Sequence, residues 1–106
     1  MTSRERLRNR RRSETFTVEL HGLRYLASFS RFDDGRVGEI FLQSQKTASQ
    51  ADANARDSAI AASLALQYGC PLDVLRRALL RDSEGRASTP LGQALDQIAA
   101  SQEQRR

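Results

Sequence analysis

From Ser13 onward the chain alternates with a period of two. Phe16, Val18 and Leu20 take turns with Thr15, Thr17 and Glu19, which is how a strand buried on one face reads. His21-Gly22 breaks the pattern. Leu23, Tyr25, Ala27 and Phe29 then alternate with Arg24, Leu26, Ser28 and Ser30 and predict a second strand. Asp33-Asp34-Gly35 closes it, because Asp-Gly favours a hairpin turn in which glycine accepts positive φ. A third strand follows through Arg36–Gln43, with Ile40 and Leu42 on one face and Val37, Glu39 and Phe41 on the other.

The period then changes. Ser49 with Asp52 three residues on resembles a capping box, and an Ala-rich segment free of Gly and Pro runs to Tyr68. Ile60 and Leu64 mark the expected apolar face of this helix, and Gly69 its C-terminal stop. Pro71 suits the first position of a second helix, Leu72–Arg81, with Leu72, Leu75 and Leu79 as its stripe. After a loop containing Gly85, Thr89-Pro90 starts a third helix carrying Leu91, Leu95 and Ile98. Strands first and helices after predict an α+β fold: a three-stranded antiparallel β-meander packed against two to three C-terminal α-helices. Val18, Tyr25, Phe29, Ile40 and Leu42 form the expected inner face of the sheet, covered by the helix Asp52–Tyr68.

At 106 residues the chain has room for one domain, which excludes large catalytic barrels and doubly wound sheets within it. One cysteine permits no internal disulfide, and no apolar run is long enough for a membrane span, so a cytoplasmic protein without a membrane partner is expected. Charge is unevenly placed. Residues 1–12 hold six arginines (Arg4, Arg6, Arg8, Arg10, Arg11 and Arg12) against Glu5, whereas the remaining chain is nearly neutral within a net +4. The expected organisation is a disordered Arg-rich arm over residues 1–13, a single domain over 14–100, and a frayed tail over 101–106. An arginine block can follow a phosphate backbone, each neutralised phosphate adding salt-dependent affinity without base information. Arg24, Arg31, Arg36 and Lys46, around the sheet and its following loop, extend the candidate phosphate-binding set.

Catalytic chemistry is not legible. His21 lies beside Gly22 in a turn, with no second His and no nearby nucleophile. Cys70 precedes the second helix, where a dipole can lower a thiol pKa, but the Gly-Cys-Pro junction reads better as packing. Asp33 and Asp34 are explained by their turn, and Glu39 is expected to pair across strands with Arg24 or Arg31. No nucleophile–base–orienter set, metal-ligand spacing or phosphate loop stands out, so neither a catalytic residue, a metal site nor a cofactor is expected.

DGRVGEIFL (Asp34–Leu42), Lys46, and SLALQYGCPLDVLRRAL (Ser63–Leu79) together resemble the TSCPD domain. That family includes the C-terminal domain of adenosylcobalamin-dependent ribonucleotide reductase and small stand-alone relatives. The likeness covers about residues 22–81. At about the place of the family's Thr-Ser-Cys-Pro-Asp stretch stands Ala27-Ser28-Phe29-Ser30-Arg31, so no thiol or metal role carries over. The reductase's catalytic barrel has no counterpart here, so the resemblance does not imply activity by this chain alone. It implies a small accessory module, connected with DNA replication, that binds nucleotide, nucleic acid or the reductase itself. Two other readings stand beside it: a structural or protein-interaction module that homo-oligomerises with the basic arm as an anchor, and an enzyme fragment working in trans.

Overall fold

The computed structural model describes residues 3–104; Met1 and Thr2 of the expected arm and Arg105 and Arg106 of the expected tail lie outside the described residues. Strands β1 (Ser13–Leu20), β2 (Leu23–Arg31) and β3 (Val37–Ser44) precede helices α1 (Gln50–Gln67), α2 (Leu72–Ala78) and α3 (Pro90–Gln104). The strands pair antiparallel in the order β1-β2-β3, the meander expected from their alternation. His21 and Gly22 both take left-handed φ, 52° and 78°, so a two-residue turn joins β1 to β2 with the twist the strands need. In the β2–β3 turn Phe32 N donates to Arg36 O at 2.8 Å and Gly35 N to Phe32 O at 2.9 Å. The same pair of bonds recurs in the loop after α2, where Asp82 N donates to Arg86 O and Gly85 N to Asp82 O. The sequence Asp82–Arg86 therefore forms a miniature hairpin, closed by a bridge between Arg81 and Ala87.

Val18, Tyr25, Ala27, Phe29, Ile40 and Leu42 are buried, as the alternation predicts. Val37 departs from it, being 4% exposed and part of the core rather than on the face with Glu39 and Phe41. The register explains this. Ser30 pairs with Glu39 but Arg31 pairs with Val37, so Gly38 is an extra residue that reverses the parity of the strand. Glycine lets the Phe32 ring pack close there, because a Cβ at position 38 would stand 2.7 Å from the ring and push it aside.

α1 presents a different face from the one expected. Ala55, Ala59, Ala62 and Leu66 are buried, whereas Ile60 is 59% and Leu64 39% exposed. The reason lies at the open edge of β3. Asp52 Oδ1 accepts from Ser44 N at 2.9 Å, Ser63 Oγ accepts from Ile40 N at 2.9 Å, and Gln67 Nε2 donates to Gly38 O at 2.9 Å. Turning Ile60 and Leu64 inward would withdraw these three side chains and orphan backbone groups at about 1–3 kcal/mol each. Burying one more aliphatic side chain gains about 1.5–3 kcal/mol, but the alanine face that lets the helix approach the sheet would be lost. Polar satisfaction of the edge thus sets the helix rotation.

Ser49 Oγ caps α1 by accepting from Asp52 N at 3.1 Å, while the Asp52 carboxylate reaches Ser44 instead of completing the box. Gly69 at φ 101° ends α1, with Cys70 N donating to Ala65 O and Gly69 N to Leu66 O. α2 stops at Ala78, short of the expected Arg81, and Pro71 is its cap rather than its first residue. The chain extends at Leu79 so that Arg81 can enter the bridge with Ala87. α3 is capped by Thr89 Oγ1, which accepts from Gly92 N at 3.1 Å, and buries Leu91, Leu95 and Ile98. No helix among the described residues is long and apolar enough to cross a membrane.

Candidate anion-binding cleft

The Arg-rich segment runs against the folded domain, and Gln67 is its anchor. This side chain is 3% exposed. Its Oε1 accepts from Arg4 Nε at 2.6 Å, and its carbonyl accepts from Glu5 N at 2.7 Å. Two residues further along, Leu7 lies half-buried near Gly38 and Phe32. The Glu5 carboxylate receives Arg36 Nη2 at 2.7 and 2.9 Å, and the Arg36 guanidinium lies 4.8 Å over the Phe32 ring. The bond to Glu5 first, and that to Asp34 next, raise the Arg36 pKa above its ordinary value. Asp34 is held below the usual aspartate value by the Arg36 amide and then by its guanidinium.

Beyond this point the chain bends around the end of β2 and leaves a cleft of about 630 Å³. Arg8, Arg10, Arg11, Arg12 and Arg31 line it, with Glu14 and Asp33 as the carboxylates and Phe29 and Phe32 as apolar wall. Arg31 is placed by β2: it bonds the Glu14 carboxylate on the neighbouring strand and stacks 4.9 Å over Phe29. Its Nη2 is buried with no hydrogen-bond partner among the described residues. Arg11 pairs with Glu39 at 2.7 Å, and Arg8 approaches Asp33 at 3.5 Å. Five guanidinium groups facing two carboxylates make a site that suits oxyanions, since each guanidinium fork matches phosphate or carboxylate oxygens. Neither His nor Cys lines the cleft; the Ser13 side chain does, but the neighbouring Glu14 carboxylate is bonded to Arg31, so the arrangement is suited to holding and orienting an anion.

Of the ten expected phosphate-binding residues, the structure gathers these five. Arg4 and Arg36 belong to the adjoining stretch and are engaged by Gln67, Glu5 and Asp34. Arg6 is exposed beside a smaller cleft of about 200 Å³ that also includes Asp33 and Asp34. Arg24 is exposed at the far end of β2, and Lys46 in the β3–α1 loop; both stand apart from the cleft. The expected pairing of Glu39 with Arg24 or Arg31 is corrected by the register. Glu39 faces Ser30, Arg24 faces Glu19, and Arg31 turns to Glu14, leaving Glu39 to Arg11 of the arm. His21 is exposed in its turn, and Cys70 is half-buried with Sγ 3.6 Å from Pro71 O. Among the described residues no group of three or more His, Cys, Asp or Glu is placed to hold a metal ion. Gln67 was not singled out from sequence; its spacing of four from Ser63 on one helix face is the signal that could have found it.

No family model matches the chain, and no solved structure matches it. Among curated proteins, 73 residues, 69% of this chain, are 38% identical to part of the vitamin B12-dependent ribonucleotide reductase of Bradyrhizobium diazoefficiens. A stretch of 70 residues, 66% of the chain, is 41% identical to part of the vitamin B12-dependent ribonucleotide reductase of Agrobacterium fabrum. In each case the match spans 6% of the reductase's length. The chain therefore contains a region related to a short segment of vitamin B12-dependent ribonucleotide reductase.

Proposed function

We propose that this chain is a reductase-related accessory module of the TSCPD type that binds phosphate-bearing polyanions, nucleic acid above all, and breaks no bond by itself. The observation that carries the proposal is the convergence of Arg8, Arg10, Arg11, Arg12 and Arg31 on one half-open cleft holding two carboxylates. A polyanion entering it exchanges weak contacts to Asp33 and Glu39 for charge-assisted bonds to phosphate, with release of counterions. A cytoplasmic setting accords with this role. The test is a fluorescence anisotropy titration of single-stranded and duplex DNA against the full chain and the Arg10, Arg11, Arg12→Gln variant. With about five phosphates neutralised, log K on duplex falls with log salt at a slope of about −4 to −5, and the triple variant reduces that slope by about 2 to 3 units. Absence of binding at low salt, or full retention in the triple variant, overturns the proposal.

A second reading, a module that docks on a protein or on its own copy, is favoured by the solvent side of α1. Phe41, Ile60, Leu64 and Tyr68 are 42%, 59%, 39% and 51% exposed, and a groove of about 310 Å³ separates Phe41 from Ile60 and Leu64. A reductase chain is the partner this reading names first, with homo-oligomerisation beside it. Light scattering and a pull-down with purified B12-dependent reductase test it. Leu64→Asp leaves folding intact and abolishes any association made through this stripe; association unchanged in that variant removes the reading.

A further inference from the structure

We infer that a second cleft, at the opposite end of β2 from the arginines, binds a small neutral ring compound with an amide-like edge. The cleft holds about 410 Å³ and lies where the start of α1, the chain after α2 and the start of α3 meet over the sheet. Its size falls within the range of small-molecule sites. None of the nine residues that line it is charged. An anionic or cationic ligand would lose its hydration without a counter-charge, which disfavours both.

Tyr25 supplies the second observation. It projects from the inner face of the sheet, is 5% exposed as a residue and lines the cleft, and its hydroxyl, which bonds no other described residue, opens onto the cleft and is not sealed in the core. A ligand that fills the cleft covers this hydroxyl and must therefore offer it a polar atom. Asn54 Oδ1 is engaged by Gln50 Nε2 at 3.1 Å, which leaves the Asn54 amide hydrogens as donors on the same wall. Ser58 Oγ donates to Ala55 O at 2.9 Å and keeps its lone pairs as acceptor. Donors from Tyr25 and Asn54 beside an acceptor from Ser58 complement a carbonyl next to an N–H, the edge of a lactam or of a nucleobase. Pro90, Leu79 and Leu91 offer the apolar surface a flat ring requires. An aliphatic side chain from a partner protein would fill the volume and leave the Tyr25 hydroxyl unpaired, so the ring compound is the better occupant.

The probe is 2-quinolone, a neutral bicyclic lactam, titrated into the full chain and followed by ¹H–¹⁵N correlation spectra. Naphthalene serves as the ring without the polar edge. The expected result is saturable shifts confined to residues around the cleft, with affinity at least threefold weaker in Tyr25→Phe and weaker again for naphthalene. Asn54→Leu, a change at an exposed helix position, carries the same criterion should Tyr25→Phe lose its dispersed spectrum. Arg10, Arg11, Arg12→Gln binds the probe as the unaltered chain does, which separates this site from the arginine cleft. No saturable shift, equal affinity in the polar-edge variants, or equal binding of naphthalene overturns the inference.

Discussion

Ser63 Oγ on α1 lies 2.9 Å from the amide nitrogen of Ile40 and 3.0 Å from the carbonyl oxygen of the same residue. A helix hydroxyl here takes the place of a fourth strand. It accepts from the Ile40 N–H, and its proton faces the Ile40 and Ala59 carbonyl oxygens. Ser63→Ala removes the partner while leaving the edge buried, so it is expected to cost about 1–3 kcal/mol. Urea denaturation measures this, and a loss below about half a kcal/mol means that water replaces the hydroxyl at the edge.

Rotation of α1 makes opposite forecasts for two leucines. Leu66, 4% exposed in the core, is expected to lose about 2–5 kcal/mol on change to Ala. Leu64, 39% exposed, is expected to lose less than about 1 kcal/mol. Equal losses in denaturant midpoints would refute the observed helix face.

Gly38 is the extra residue of β3 and the point where the arm, the Phe32 ring and Gln67 meet. A methyl group there would stand 2.7 Å from the ring and 3.1 Å from Leu7 Cδ2. Gly38→Ala should therefore displace Phe32 and Leu7 together and destabilise by about 1–3 kcal/mol. Thermal unfolding gives the magnitude, and shifted amide resonances of Glu5 and Leu7 show the coupling to the arm.

Asp96 on α3 joins α2 to the miniature hairpin at Asp82–Arg86, receiving Arg81 Nη2 at 2.7 Å and Arg76 Nε at 2.8 Å. Its pKa is lowered from the ordinary 3.8 by the Arg81 bond first and then by the Arg76 bond, against desolvation. Asp52 is likewise lowered from 3.8, chiefly by the Ser44 amide and then by Arg56. For a depressed carboxylate the folded state binds its proton less readily than the unfolded chain. The stability it contributes is complete above the unfolded value and is lost as pH falls through the lower folded one. Unfolding midpoints should thus be level from neutrality to about pH 5 and drop below about pH 4. Asp96→Asn should flatten that drop; an unchanged acid limb would mean that these pairs do not govern it.

Residues 3–12 combine a few polar anchors with exposed ion pairs, and such pairs add little and weaken with salt. We propose that the arm is mobile where ion pairs alone hold it. Heteronuclear NOE values for Arg10–Arg12 should be low and fall further between 50 mM and 0.5 M salt, while those of Glu5 and Leu7, beside Gln67 and Phe32, stay higher. Uniformly rigid values throughout residues 3–12 at high salt would count against this.

Element order and type were readable from periodicity alone, because period two in residues 13–43 and helical spacing after Ser49 each demand one kind of backbone. The caps Ser49 and Thr89, the stop at Gly69 and the turns at Gly22 and Gly35 were equally local, set by side-chain oxygens and positive φ within a few residues. Three matters depended on partners far along the chain. The parity of Val37 depended on a bulge at Gly38 that fits the Phe32 ring. The buried face of α1 depended on the unpaired edge of β3, which made Asp52, Ser63 and Gln67 worth more inward than Ile60 and Leu64. The grouping of arginines depended on the path of the arm: Arg31 from β2 joined Arg8 and Arg10–Arg12, whereas Arg24, also on β2, lay too far along the strand. Hydrophobic spacing ranks side chains by their own free energy of transfer. It carries no record of which backbone groups elsewhere still lack a hydrogen bond, and that need decided the tertiary arrangement.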